Sequence, residues 1–150
     1  MMNRRGSLRC ALSGGMLAFG LLAAPIAGVA QEWTFPDGQP GAWGLTNATA
    51  VGGKGPGLEL KANNDPWLVM DFTQQVELPT LRAGSIIEVR MSATAGTAAQ
   101  LFWGGTFNEN DSIRAPITAD GKVHAVKFIV PKELTVERLR LDPTEGASQI

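Results

Sequence analysis

The sequence has very few of the side chains that catalytic and metal sites commonly use. It contains one histidine and one cysteine among 150 residues, so a zinc site of two or three histidines is impossible. A Ser-His-Asp triad would have to use His124, yet no Gly-x-Ser-x-Gly elbow is present and apolar residues alternate around it. We therefore expect His124 to be a packed or edge residue, and we predict no catalytic residue and no cofactor.

One carboxylate pair could still serve glycoside hydrolysis, because Glu109 and Asp111 lie close together in the sequence. Their segment, Asn-Glu-Asn-Asp, is typical of a solvated hairpin turn. The glycine-rich segment 52–57 leads into no predicted helix, so it indicates a hairpin connection rather than a phosphate-binding loop. An enzyme is therefore the least favoured function.

Basic residues are also scarce after position 30. Three of the 13 lysines and arginines precede it, whereas all 14 acidic residues follow it, which leaves residues 31–150 with a net charge of about −4. An acidic domain without a basic run binds nucleic acid and anionic membranes poorly. We therefore exclude nucleic acid as a partner.

The chain has one long apolar stretch, residues 11–29. Its strongly apolar part is shorter than the roughly 20 residues that span a bilayer, so a transmembrane anchor is the weaker alternative. Arginines precede the stretch, and the small residues Gly28 and Ala30 end it in the way that signal peptidase accepts. We predict that residues 1–30 are a cleavable signal peptide and that the mature chain is secreted or periplasmic, without membrane association after cleavage.

The details of this leader favour general secretion. Arg4 and Arg5 approach a twin-arginine signal, but Ser7 stands where that motif usually has phenylalanine. Cys10 precedes the apolar stretch, so we do not expect lipid modification, and it should leave with the leader. The mature chain would then contain no disulfide.

Residues 31–150 have the length of one ordinary domain and the pattern of an all-β fold. Short apolar runs alternate with Gly, Pro, Asn and Asp, and no segment has four turns of helical periodicity. We predict an antiparallel β-sandwich of the jelly-roll type. The candidate strands are 32–35, 45–51, 57–61, 67–72, 85–93, 99–103, 112–117, 123–130 and 136–141.

Alternation within the candidate strands predicts which side chains face the core, since each strand has one buried and one wet face. The expected core residues include Ile87, Val89, Met91, Leu101, Val126, Phe128, Val130, Leu139 and Leu141. The same parity turns a set of aromatic and planar polar side chains away from the core. These are Phe102, Trp67, Arg90, Gln100 and Arg114.

This outward set suits a saccharide. Sugars present C–H faces that stack on aromatic rings, and hydroxyls that bond to arginine and glutamine. We therefore predict that the five residues form a ligand-binding face. The alternative is that Phe102 and Trp67 pack under loops while the arginines pair with Glu88 or Asp142.

Several motifs, taken in order, resemble the galactose-binding-like jelly rolls that act as carbohydrate-binding modules of secreted bacterial polysaccharide-acting proteins. They are Trp33-Thr34-Phe35, Ala42-Trp43-Gly44, Asp65-Pro66-Trp67-Leu68, Ile87-Glu88-Val89-Arg90-Met91, Ala99-Gln100-Leu101-Phe102-Trp103, Asp120-Gly121-Lys122-Val123-His124 and Leu139-Arg140-Leu141-Asp142-Pro143. The resemblance covers essentially all of residues 31–150. It implies a non-catalytic carbohydrate-binding or accessory module whose partner is a polysaccharide, and the alternative is a structural spacer or attachment sandwich without a ligand.

The resemblance departs from the family at the C-terminus. In the family, a glycine turn follows Asp-Pro, and a strand of the type Ile-Asp-x-Ile-x-Leu then closes the sandwich. Here the sequence reaches Ile150 where that strand should begin, so the resemblance implies a truncated domain, and any covalently linked catalytic domain would lie beyond residue 150. It also implies that a structural calcium site near the first and last strands, which the sequence itself does not support, would be incomplete.

Overall fold

The computed structural model describes residues 10–13, 31–51 and 57–144. Within these ranges the chain forms eleven strands, one short 3-10 helix at Glu109–Asp111 and no α-helix. The strands are β1 Cys10–Ser13, β2 Gln31–Trp33, β3 Gly44–Ala50, β4 Leu60–Asp71, β5 Thr80–Leu81, β6 Ile86–Met91, β7 Ala98–Trp103, β8 Ser112–Pro116, β9 His124–Ile129, β10 Leu134–Thr135 and β11 Arg138–Asp142.

The strands form two main antiparallel sheets. One has five strands in the order β3-β4-β11-β7-β8, and the other has four in the order β2-β1-β6-β9. The short strands β5 and β10 pair separately, with Leu81 opposite Leu134. The predicted all-β sandwich is confirmed, whereas the jelly-roll connectivity stays an expectation.

The hydrophobic core joins the inner faces of the two sheets. A small apolar space is lined by Val89 of the four-stranded sheet and by Leu68, Leu101 and Leu139 of the five-stranded sheet. These side chains are almost fully buried, as the alternation of apolar and polar residues predicted. Burial of apolar surface on both layers is the main stabilising contribution to such a fold.

Strand β4 corrects one prediction. Residues 63–66, expected to form a turn between two strands, lie within a single strand from Leu60 to Asp71. The irregularity appears instead as a bulge, because the register against β3 shifts between Thr46 and Ala48, and Asp65 has a φ of 53°. The side-chain amide of Asn47 donates to the backbone oxygen of Asp65 at 3.1 Å and bridges the irregular stretch.

Strand β1 belongs to the segment that the sequence predicts to be a signal peptide. It lies between β2 and β6, with Cys10 opposite Trp33 on one side and opposite Val89 on the other. The rest of residues 1–30, including the predicted cleavage point after Ala30, lies outside the described residues. Within the part of the chain that is described, no helix is long and apolar enough to cross a membrane.

Candidate functional site

The outer face of the five-stranded sheet carries a polar groove, and the strand register explains its composition. Phe102 of β7 lies opposite Arg140 of β11, and Gln100 lies between Asp142 of β11 and Arg114 of β8. Directly opposite residues of antiparallel strands share one face of the sheet, so these side chains converge. The groove has a volume of about 530 Å³. It is lined by Asp65, Gln100, Phe102, Phe107, Asn108, Glu109, Arg114, Arg140, Asp142 and Thr144.

Three aromatic rings surround the guanidinium of Arg140. Its central carbon lies 4.6 Å from the centre of the Trp67 ring, 5.0 Å from that of Phe102 and 5.9 Å from that of Phe107. Phe107 makes edge contacts with the other two rings, with ring centres 6.4 Å apart in both cases. These distances fall in the range of cation–π attraction. We call the four residues the Arg140 cage.

Asp142 fixes the guanidinium within this cage. Nε of Arg140 donates to Oδ1 of Asp142 and Nη2 donates to Oδ2, both at 2.6 Å. Burial raises the pKa of Asp142 even though Arg140 opposes the rise, and the carboxylates of Asp65 and Glu109 raise it further. Negative charge is therefore already disfavoured at this end of the groove.

The 3-10 helix supplies the opposite wall. Asn108 caps it by accepting a hydrogen bond from the backbone of Asn110, which holds Glu109 over β7 and β8. Nε2 of Gln100 donates to Oε2 of Glu109 at 2.8 Å, and a guanidinium nitrogen of Arg114 approaches the same oxygen at 3.4 Å. Glu109 therefore neutralises Arg114 and orients Gln100.

One polar atom at the groove lacks a partner. The hydroxyl of Thr144 is buried and makes no hydrogen bond within the described structure, and the residue is 2 % exposed. Buried hydroxyls without partners destabilise a fold, so they are uncommon in native structures. The hydroxyl of Thr144 is therefore a buried polar group next to the groove, and it is not exposed to it.

No family model, curated protein or solved structure matches the chain. The geometry of the groove is therefore the main structural indication of function. The resemblance to galactose-binding-like modules stays a prediction from sequence motifs.

Four of the five predicted site residues meet in or beside this groove, and one does not. Gln100, Phe102 and Arg114 line it, and Trp67 contributes a wall of the Arg140 cage. Arg90 lies on β6 of the other sheet, opposite Ala125, and points to solvent. The alternation correctly predicted that Arg90 faces away from the core, but alternation within a strand does not tell which sheet the strand joins.

The rings are less open than a stacking platform would require. Phe102 is 5 % exposed because Phe107 and Arg140 cover its ring, although it lies outside the core between the sheets. The burial of Phe102 agrees with the alternative prediction that the rings pack under loops, but Asp142 pairs with Arg140 rather than with Arg90 or Arg114. Glu88, also named there, pairs with Lys127 instead of an arginine.

Among the groove residues that were not predicted as site residues, Arg140 and Phe107 belong to the Arg140 cage. Arg140 alternates with Leu139 and Leu141, so the sequence predicts that it faces away from the core, but it was not assigned to the ligand-binding face. Phe107 lies in the connection between β7 and the 3-10 helix, where no periodicity indicates direction. Its contact with Trp67 depends on the path of that loop.

Other candidate chemistry is weaker. Asp111, considered with Glu109 as a carboxylate pair for glycoside hydrolysis, accepts a hydrogen bond from Asn108 and does not line the groove. His124 begins edge strand β9, and its Nε2 lies 2.8 Å from Oδ1 of Asp120, outside the groove. Among the described residues no group of three or more His, Cys, Asp or Glu side chains could hold a metal ion.

Proposed function

We propose that this chain is an exported, non-catalytic module that binds a saccharide in the groove of the five-stranded sheet. The observation that carries the proposal is the Arg140 cage, because it places a fixed cationic donor and aromatic edges beside carboxylate and amide groups. Sugars need this combination, since each ring offers apolar C–H groups and several hydroxyls. A groove of about 530 Å³ has the size of a small-molecule site.

The fixed geometry of the groove favours binding. Arginine loses considerable rotamer freedom when it orders on a ligand, and that loss weakens affinity. Here Asp142 and the three rings have already ordered Arg140, and Glu109 has ordered Gln100. A ligand would therefore meet donors that are in place before it arrives.

The sequence supports export and the accessory role. The arginine-rich start, apolar stretch and small residues of positions 1–30 favour a secretory leader. The motifs that resemble galactose-binding-like jelly rolls favour a module that holds polysaccharide for a linked enzyme. We carry both as parts of the same proposal.

A structural spacer without a ligand is the second candidate, and one observation favours it. Arg140 and Arg114 already pair with carboxylates of the same groove, so part of the hydrogen-bonding capacity of the groove is used within the protein. A spacer would use these bonds only for stability. The two functions predict different results for polysaccharide retention.

Arg114→Ala and Arg90→Ala form a matched pair that separates them. Both remove one exposed arginine, but only Arg114 lies in the groove. In a pull-down with insoluble plant and bacterial polysaccharides, we expect Arg114→Ala to weaken retention about fivefold or more and Arg90→Ala to leave it unchanged. Equal losses would place the ligand elsewhere, and no retention of the unmodified chain by any glycan would favour the spacer.

A further inference from the structure

The charges of the groove indicate what kind of saccharide it accepts. Three carboxylates line it, from Asp65, Glu109 and Asp142, against two guanidinium groups, from Arg114 and Arg140. The groove therefore has a net charge of −1 from its ionisable side chains. It lies on residues 31–150, which are acidic as a whole.

Both cations of the groove are engaged by its carboxylates. The bidentate contact with Asp142 uses Nε and Nη2 of Arg140. Arg114 approaches Oε2 of Glu109, which also holds Gln100. An acidic sugar would compete with these carboxylates for the two arginines, and it would lie beside their negative charge.

An uncharged sugar meets no such conflict. Its hydroxyls can donate to carboxylate oxygens and accept from amide or guanidinium N–H groups, so both signs of charge in the groove are useful. The mixture of donors and acceptors therefore fits a polyol better than an anion.

We propose that the groove selects uncharged saccharides and excludes those that carry carboxylate or sulfate groups. This inference rests on the proposed saccharide-binding function and specifies its ligand class. The burial that already disfavours the ionised form of Asp142 supports the exclusion of a further anion. Glu109 is well placed to repel an acidic sugar, because its side chain is exposed and lies on the groove wall.

The test uses pairs of oligosaccharides that share linkage and length and differ only at C6, with a hydroxymethyl group in one and a carboxylate in the other. The purified chain is titrated with each by calorimetry at low salt. We expect the neutral member to bind at least about tenfold more tightly, which corresponds to about 1.4 kcal/mol. Equal or tighter binding of acidic members would overturn the inference while leaving saccharide binding intact.

Glu109→Gln gives an independent check. This variant removes one negative charge but keeps an oxygen that can accept a hydrogen bond from Gln100. We expect it to bind the acidic oligosaccharide more tightly, so that the preference for the neutral member falls about threefold or more. Glu88→Gln is the matched control, since it makes the same charge change on the other sheet, where Glu88 pairs with Lys127. Identical effects of the two variants would show that overall charge, not the groove, sets the preference. If neither member of any pair binds, the proposed function itself fails.

Discussion

Arg140 and Asp142, two positions apart on β11, are joined by two parallel hydrogen bonds of 2.6 Å. They share the outer face because alternate residues of a strand point to the same side. The arrangement is bidentate, which gives arginine–carboxylate pairs both strength and direction. We therefore expect loss of this pair to lower the stability of the fold more than loss of any other contact in the groove.

Arg140→Met should lower the free energy of unfolding by about 2–3 kcal/mol, because it leaves the buried carboxylate of Asp142 without its partner while keeping an apolar stem against the rings. A carboxyl group whose pKa is raised by folding stabilises the fold while protonated, and that stability is lost as pH rises through the folded-state pKa. Loss of Arg140 should raise the pKa of Asp142 further, so the variant should be more impaired at neutral pH than under mildly acidic conditions. Urea titrations of the variant at neutral and at mildly acidic pH measure this difference in stability.

Arg138→Met is the control for that experiment. Arg138 also pairs with an aspartate, Asp71, through a contact of 2.9 Å, but both side chains are well exposed. Exposed ion pairs contribute little to stability. If the Arg138 and Arg140 variants lose equal stability, burial within the Arg140 cage does not strengthen the pair between Arg140 and Asp142.

The carboxyl of Asp71 should titrate below its ordinary value and should depend on Thr73. The hydroxyl of Thr73 donates to Oδ1 of Asp71 and the backbone N–H of Thr73 donates to the same atom, which together lower the pKa of Asp71 more than Arg138 does. Stability from this group is present above the unfolded value of 3.8 and is lost as pH falls through the lower folded value.

Thr73→Ala removes the hydroxyl and keeps the backbone donor, so the pKa of Asp71 should move partly back towards 3.8. Carboxyl-carbon NMR titration measures it directly. Asp120 is an internal reference, since His124 is the largest cause of its lowered pKa and is unaffected by the change. A shift at Asp120 as large as that at Asp71 would contradict the assignment.

Alanine substitutions at three apolar positions should rank by burial. Leu101→Ala should cost about 2–5 kcal/mol, and Phe102→Ala about 3 kcal/mol, because both side chains are buried, one in the core and the other beneath Phe107. Phe107→Ala should cost about 1 kcal/mol, since this ring is only half-buried. Denaturant midpoints measure the order, and a harmless Leu101→Ala together with a severe Phe107→Ala would reverse the assignment of faces.

Phe107→Ala is consequently the better probe of ligand binding. It should open the edge of the Arg140 cage with little loss of stability, whereas Phe102→Ala would confuse weaker binding with partial unfolding. The earlier expectation that Phe102 offers an exposed ring does not hold in this structure.

Gly96→Ala should destabilise the chain more than Gly84→Ala. Both glycines have a positive φ, 97° and 81°, so alanine is strained at either position. A Cβ at Gly96 would lie 2.9 Å from Cβ of Thr144, whereas a Cβ at Gly84 would meet nothing within 4 Å. We expect about 1 kcal/mol for Gly84→Ala and about 1–3 kcal/mol more for Gly96→Ala. Thermal unfolding of both variants measures the difference, and equal losses would mean that Thr144 gives way freely.

Export should remove residues 1–30, with cleavage after Ala30. Intact mass and N-terminal sequencing of the chain recovered outside the cytoplasm decide this. A mature chain that retains Cys10 would contradict the signal peptide. Loss of β1 should also speed amide exchange in β6, because β1 pairs along Ile86–Val89.

Local patterns predicted much of this fold because burial leaves a direct trace in the sequence. The two-residue period placed Val89, Phe128 and Leu139 in the core, where the structure has them. Turn residues were a less certain guide. Asn63 and Pro66 favour a turn in isolation, yet the residues on both sides of them pair with neighbouring strands and keep them within one strand with a bulge.

The candidate site was harder to predict than the fold because it depends on contacts between distant segments. Trp67 and Phe102 are brought to one face by the placement of β11 between β4 and β7, which no local pattern encodes. Arg90 satisfied the same alternation and lies on the opposite sheet. Long-range strand order, rather than side-chain parity, decides which residues meet.

The position of β1 has a consequence for the proposed export, because residues 10–13 lie within the predicted leader. In the unprocessed chain, residues 10–13 connect β2 to β6 as an interior strand of the sheet. A leader that has been folded into a sheet cannot be threaded through a secretion channel until that sheet opens. If residues 1–30 are the predicted secretory leader, we therefore expect a slowly folding chain to be exported efficiently and a chain that folds first to be retained in the cytoplasm.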